Sequence, residues 1–494
     1  MTPSRKPLVI CLTALAVSTL LTSCAVGPDF KQPAPPPVSG YTATPLTNTQ
    51  SITNTIGGQA QRFVEAADIS GQWWTLFHSK PLNDLIERAL TNNPTIKSAQ
   101  AALLAAQETT KAQRGVFWPG ADASFSASRQ RTSELLAPIP NANIFTYSLY
   151  TPEVAVSYSP DIFGLNRRTV ESFKALEEEQ RYALLAARIT LSANVVSAAV
   201  NEASLRAQIA ATTNLIAENT KALDILRAQF AKGYASRLDL AGQESQLAQL
   251  AATLPPLVKQ LALQRDALAI LIGLFPSQVP PEKFELGKLQ LPVDIPVSLP
   301  SRLVQQRPDV LQAQEAWHSA SAQVGVAIAN RLPNITLTAN VGSSALAIDQ
   351  LFTSGTGFWT LGAAVTQPIF HGFALLHQER AAKAAYVQAA EQYRSTVLTA
   401  CQNVADTLNA LEQDAQALKT AVDAEHAAKV TLDLTQAQLR SGYADYLTLV
   451  TAETAYQQAV INLVQAQANR FSDTAALFLA LGGGWWNRAD LTKK

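Results

Sequence analysis

The sequence predicts a mainly α-helical chain with a small transmembrane β part, written as two tandem repeats. Three observations predict it. Two proline-to-proline intervals of matching length, Pro94 to Pro119 and Pro308 to Pro333, recur in the two halves. After each second proline the apolar period changes from helical to alternating. Each half then enters a long run free of glycine and proline that ends in the same phrase, Gly233-Tyr234-Ala235 and Gly442-Tyr443-Ala444.

The start of the chain addresses compartment before fold. Arg5 and Lys6 precede an apolar stretch from Leu8 to Leu21 that ends in Leu21-Thr22-Ser23-Cys24. The stretch is too short and wrongly flanked for a transmembrane helix and reads as a signal segment, residues 1–23. Small residues before Cys24 fit a bacterial lipoprotein signal, with cleavage before Cys24 and acylation of its thiol. A simple signal peptide with an incidental cysteine is the alternative. Cys11 leaves with the signal, so Cys401 remains as the sole unmodified thiol and no intramolecular disulfide is expected. Residues 24–70, rich in Pro and then in Thr and Asn, show no regular period and read as an extended tether.

Residues 71–290 and 291–494 form the two repeats. Each opens with a helix of roughly 25 residues bounded by its prolines. Alternation then marks strands at about 119–131 and 150–161 in the first repeat, and about 333–342 and 358–368 in the second. Ile335, Leu337, Ala339 and Val341 alternate with Thr336, Thr338 and Asn340. A Pro…Ile-Phe…Gly punctuation closes each β part, at Pro160–Gly164 and Pro368–Gly372. The long run from Leu165 to Lys232 is about 68 residues, roughly 100 Å of helix. Its counterpart is Phe373 to Ser441. After each Gly-Tyr-Ala a helix of about 37 residues returns. Pro255-Pro256 should kink the first of these. One long helix thus runs antiparallel to two shorter ones stacked end to end, with hairpin tips at 232–239 and 441–448.

Four strands cannot close a barrel around a pore, and lipid tolerates no open sheet edge. Three copies would give about 12 strands, an even number within the known range. Ser, Thr and Asn would then line a lumen, and Phe, Val, Ile and Leu would face lipid. A soluble β-meander on a helical protein is the alternative. No later segment has 18 consecutive apolar residues, so no membrane-spanning helix is expected. Formal net charge is +0, which gives no argument for a nucleic-acid partner.

Cys24-Ala25-Val26-Gly27-Pro28-Asp29-Phe30, Trp73-Trp74 with Phe77 and Pro81-Leu82, Leu271-Ile272-Gly273, Gln306-Arg307-Pro308-Asp309 and Ala480-Leu481-Gly482-Gly483-Gly484-Trp485-Trp486 join the doubled Pro…Phe…Gly punctuation. Together these motifs resemble the TolC/OprM-like outer-membrane efflux proteins, in their NodT-type lipoprotein branch. The resemblance covers nearly the whole mature chain. It implies a homotrimer, with long hairpins forming a periplasmic α-barrel beneath a 12-stranded outer-membrane β-barrel. It implies an exit duct for drugs or other small molecules, joined by a periplasmic adaptor (membrane fusion) protein to an inner-membrane pump of the resistance-nodulation-division (RND) type. A type I protein-secretion channel and a non-channel coiled-coil surface lipoprotein are the rival functions.

The resemblance also places the Gly-Tyr-Ala turns at the periplasmic end. Gly233, Tyr234, Arg237, Gly442, Tyr443 and Asp445 are then candidates for adaptor contact. Each tyrosine could instead pack back on its own hairpin. Asp239 matches a carboxylate of the family's gate, whereas the equivalent second-repeat positions carry Thr448 and Thr451, followed by Thr454. Arg237, Arg440, Asp445 and Tyr446 are candidates for a substitute network around Asp239. The plain alternative is that these are solvated tip residues.

No catalytic arrangement is expected. The five histidines are scattered, and no Cys/His cluster has zinc spacing. Gly482-Gly483-Gly484 precedes Trp485 rather than Lys, so it is no phosphate-binding loop. No cofactor or metal is anticipated. Trp73, Trp74, Trp485 and Trp486 are expected to pack around the middle of the helical part.

Overall fold

The structure is a computed structural model that describes residues 25–44, 46–131, 146–278 and 280–488. Cys24, the expected lipid site, and the signal segment lie outside the described residues.

In chain order the elements are β1 (Arg62–Glu65), α1 (Lys80–Asn92), α2 (Pro94–Arg114), β2 (Gly120–Arg131), β3 (Thr146–Tyr158), α3 (Leu165–Ala231) and α4 (Arg237–Leu271). The second half supplies β4 (Asp294–Val297), α5 (Pro300–Gln306), α6 (Pro308–Ala329), β5 (Asn334–Ser343), β6 (Gly357–Thr366), α7 (Ala374–Arg440) and α8 (Tyr446–Ala480). The glycine- and proline-free runs become α3 and α7, 67 residues each. Their Ala-rich composition keeps side-chain entropy loss low along the whole length. Pro255 and Pro256 lie inside α4, which remains one helix from Arg237 to Leu271.

Both long helices end by the same device. Tyr234 N–H donates to the Gln229 carbonyl at 2.9 Å and Gly233 N–H to that of Phe230 at 3.0 Å. Tyr443 and Gly442 repeat the pair on Gln438 and Leu439 at 2.9 and 3.1 Å. This is the Schellman closure, which needs a left-handed residue after the last turn. Gly233 (φ 78°) and Gly442 (φ 77°) supply it without a Cβ clash.

The chain divides into two compact units, and each draws on both repeats because the long helices pass through both. The first comprises the described residues up to Gln32, Leu103–Glu179 and Ala313–Tyr393. It holds a four-stranded antiparallel sheet in the order β2-β3-β5-β6. The first residues of this unit are pinned to its helices. Arg168, 5% exposed at its side chain, pairs with Asp29 at 2.6 Å and Glu171 at 2.8 Å. Its Nε also donates to the Val26 carbonyl at 3.1 Å. Phe30 stacks on His318 at 4.5 Å and meets Trp317 edge-on at 5.4 Å. Gly27 (φ 96°) lies so close that a Cβ there would sit 2.4 Å from the Gly325 Cα. Residues 25–30, the start of the expected extended tether, form a strap seated on the helices of this unit.

The second unit comprises Pro33–Ala102, Gln180–Gln312 and Arg394 onward. Its core is aromatic. Trp73, Trp74 and Phe77 are buried in a short 3-10 helix, and Trp73 stacks on Phe478 of α8 at 5.1 Å. Trp485 donates from Nε1 to the Gln306 carbonyl at 2.7 Å, and Trp486 to Asp68 at 2.8 Å. β1 and β4 pair in parallel, Arg62 opposite Asp294 through Glu65 opposite Val297. Nothing in the sequence marks this ribbon, since four residues are too few to establish an alternating period.

One window of α3 is long and apolar enough on average to cross a membrane by length and composition, although it contains no run of 18 apolar residues. Of that window 56% is buried inside the chain, as in the core helix of a helical protein.

Candidate functional site at the sheet and the hairpin tips

The register of the sheet sorts its residues into two faces. Val154 sits opposite Val341, which sits opposite Trp359; Val156 sits opposite Ala339, which sits opposite Leu361. Ala123 opposes Val154, so β2 joins the same face with Ala121, Ala123 and Phe125. The other face carries Asp122, Ser124 and Ser126 of β2, Ser157 of β3, Thr336, Thr338 and Asn340 of β5, and Thr360 of β6. Side chains alternate along a strand, so a register slip of one residue would mix the two sets. Both faces are open: Phe125, Val341, Trp359, Leu361 and Val365 are large apolar side chains left exposed on one of them. Among the described residues β2 and β6 each have a single strand neighbour. Exposed apolar area of this kind next to unpaired edges marks a surface completed by something else.

At the tips of the second unit the sequence candidates fall into three groups. Tyr234 and Tyr443 project, 82% and 87% exposed, so neither packs back on its hairpin. Asp239 and Asp445 are engaged in helix caps. Ser236 caps α4, receiving the Asp239 N–H at 3.1 Å, and Asp239 returns by accepting the Ser236 N–H at 2.9 Å. Asp445 caps α8, accepting from Thr448 N–H at 2.8 Å and from its hydroxyl at 2.6 Å. The carboxylate and the hydroxyl have exchanged places between the two tips. Thr448 therefore stands where the first tip has an acid because the acid has moved three residues upstream. Hydrogen bonds from Thr448 hold the Asp445 carboxyl below its ordinary range.

Tyr446 forms the third group. Its ring packs against the apolar clusters of both hairpins, Leu223, Leu226 and Leu240 on one side and Leu432, Leu449 and Ala452 on the other. Its hydroxyl donates to Gln229 Oε1 at 2.7 Å. Of the candidates for a network, Asp239, Arg237, Arg440, Asp445 and Tyr446, no ion pair joins either arginine to either acid among the described residues, and both carboxylates cap helices. Thr451 donates to the Leu447 carbonyl at 2.9 Å, and Thr454 to that of Val450 at 2.8 Å.

Sequence reasoning missed a buried polar chain about two turns beyond the tips. Gln243 Nε2 of α4 reaches Asn219 Oδ1 of α3 at 3.1 Å and Glu453 Oε2 of α8 at 3.5 Å. Gln246 donates to Thr454 at 2.9 Å. Glutamines in an Ala/Leu/Gln-rich helix carry no mark of burial, so only packing could reveal them.

A family model described as "Outer membrane efflux protein" matches residues 85–274 and 299–483. The chain belongs to that family. The two matched segments fall one in each half. Among curated relatives, the probable efflux pump outer membrane protein SepC of Pseudomonas putida is 27% identical, covering 96% of this chain and 97% of that protein. Outer membrane protein OprJ of Pseudomonas aeruginosa is also 27% identical, with 97% of each chain covered. The solved structure of the outer-membrane channel OprN superposes with a TM-score of 0.83 over 94% of this chain at 23% identity, a likeness of fold. This efflux outer-membrane protein is thus an exit duct of an efflux system, placed in the outer membrane of a Gram-negative bacterium and extending into the periplasm. Its family and structural neighbours are channels.

Proposed function

We propose that the chain works as a homotrimer whose 12-stranded β-barrel is completed across the edges of β2 and β6. The observation that carries this reading is the two-faced sheet: one exposed face is apolar, the other polar, and among the described residues both outer strands have free edges. An open edge in lipid leaves backbone donors and acceptors unmade at several kcal/mol each, about 3 or more. Joining copies edge to edge removes that penalty and turns Ser, Thr and Asn toward a water-filled lumen. Residues 1–23 are removed, and the acylated Cys24 adds a lipid anchor. The two repeats, 71–290 and 291–494, each contribute two strands and one hairpin. The exposed Tyr234 and Tyr443 at the tips are contacts for a periplasmic adaptor protein, which links the duct to an inner-membrane RND-type pump. The solutes are small organic molecules, a reading supported by relatives named for toluene, antibiotic and solvent efflux and for pyoverdine export.

Cysteine pairs test the assembly, one on Gly120–Arg131 and one on Gly357–Thr366, in a Cys401→Ser background. Oxidation should yield covalent dimers and trimers on denaturing gels for pairs in register. A panel that yields only monomers would overturn the edge-to-edge reading. The purified protein in planar bilayers should conduct ions; a consistently silent bilayer would remove the duct.

A further inference from the structure

We propose that Glu453 is a proton-operated latch between the two hairpins of one chain, tightening their contact as the surroundings become mildly acidic. Glu453 lies on α8 and is 6% exposed. Its partner Gln243 lies on α4 and is 1% exposed. Beside the Gln246–Thr454 bond, the hairpins are linked here by the Gln243 amide nitrogen, shared between Asn219 and a long 3.5 Å contact with Glu453. The amide oxygen of the same glutamine is buried without a partner. A carboxylate has no hydrogen to offer it, whereas a carboxylic acid has one. Rotation of the protonated carboxyl turns that hydrogen toward Oε1 while Nε2 keeps its bond to Asn219 Oδ1. Protonation of Glu453 therefore removes a buried charge and supplies the donor that the site lacks.

The surrounding charges favour the neutral form. Glu218 on α3 faces the same site. On α7 the cation Lys429 is occupied: it pairs with Asp433 at 2.9 Å and lies over the Tyr456 ring at 5.3 Å. Glu425 of α7 adds a further negative group toward Tyr456. Arg227 of α3 is held by Asp224 and Glu244. From α4 the residues that face α8 here are amides, Gln243 and Gln246. Burial first, with Glu218 adding to it, pushes the Glu453 carboxyl up from 4.5 to about 6, while the Gln243 bond opposes the rise.

The sign follows from proton linkage. The packed state holds its proton more tightly than a separated one, so packing is favoured as pH falls through about 6 toward 4.5. Between pH 7.5 and pH 5 the packed-to-separated ratio should rise about eightfold. The consequence for transport rests on the duct reading: hairpins that separate less readily keep the tip of the duct narrower.

The test is hydrogen exchange on the purified, assembled protein, followed in residues 237–246 and 446–456 and corrected for intrinsic rates. Wild-type opening should fall about eightfold from pH 7.5 to 5. Glu453→Gln, neutral throughout, should give equal protection at both. A wild-type protein with pH-independent protection would overturn the latch, as would Glu453→Gln with the full wild-type response. Single-channel conductance, recorded in parallel, reports on the duct itself. A channel silent at every pH counts against the duct reading, and the exchange result still decides the latch.

Discussion

His318 makes the most quantitative prediction for the first unit. Its imidazole lies between Glu171 at 3.0 Å and Glu315 at 3.2 Å, joining α6 to α3. The bonds to Glu171 first, then Glu315, raise its pKa from 6.5 to about 9. A rise of that size corresponds to at most about 3.4 kcal/mol. The side chain is 27% exposed, so solvent screening brings this to about 1.5–2 kcal/mol. Because the folded pKa is raised, the stabilisation is fully present below pH 6.5 and is lost as pH rises through about 9. His318→Gln keeps the size and polarity of the group but not its charge. At pH 6 the variant should expose residues 313–329 to hydrogen exchange about 10- to 30-fold more often than wild type. At pH 10 the two proteins should converge. An equal difference at pH 6 and pH 10 would refute the electrostatic account and leave only packing, including the Phe30 stack.

Four further outcomes follow from the packing. Trp73→Ala opens a cavity beside Phe478 and should cost about 3–5 kcal/mol, read from the denaturant midpoint. Gly325→Ala places a Cβ 2.8 Å from Arg168 Cγ and 2.9 Å from the Val26 carbonyl, and should cost about 1–3 kcal/mol while exposing the strap to protease. Ser236→Ala breaks the α4 cap and should cost about 1 kcal/mol, seen as faster exchange in the first turn. Asp239→Ala should produce the same fraying; single-channel conductance unchanged by it would mean that Asp239 only caps the helix and takes no part in a constriction.

The sequence by itself determined the periodic and punctuated features. Proline pairs bounded α2 and α6, uninterrupted helix formers extended through α3 and α7, and a glycine stood where each long helix had to turn left-handed. Alternation along β5 announced a strand with one apolar and one polar face. These are local decisions, made by backbone sterics and by which side of an element each residue occupies. Tertiary structure decided what those elements share. The seating of Ala25–Phe30 on Arg168 and His318 joins residues more than 100 positions apart, so no local period can carry it. The caps at the tips were legible as a Ser-x-x-Asp and an Asp-x-x-Thr, yet their exchange of acid and hydroxyl matters only once both carboxylates are seen to be occupied. The Asn219–Gln243–Glu453 chain was invisible for the same reason. A lone glutamate on a long helix reads as solvated, and only the helices packed around it make its charge expensive and its proton a means of control.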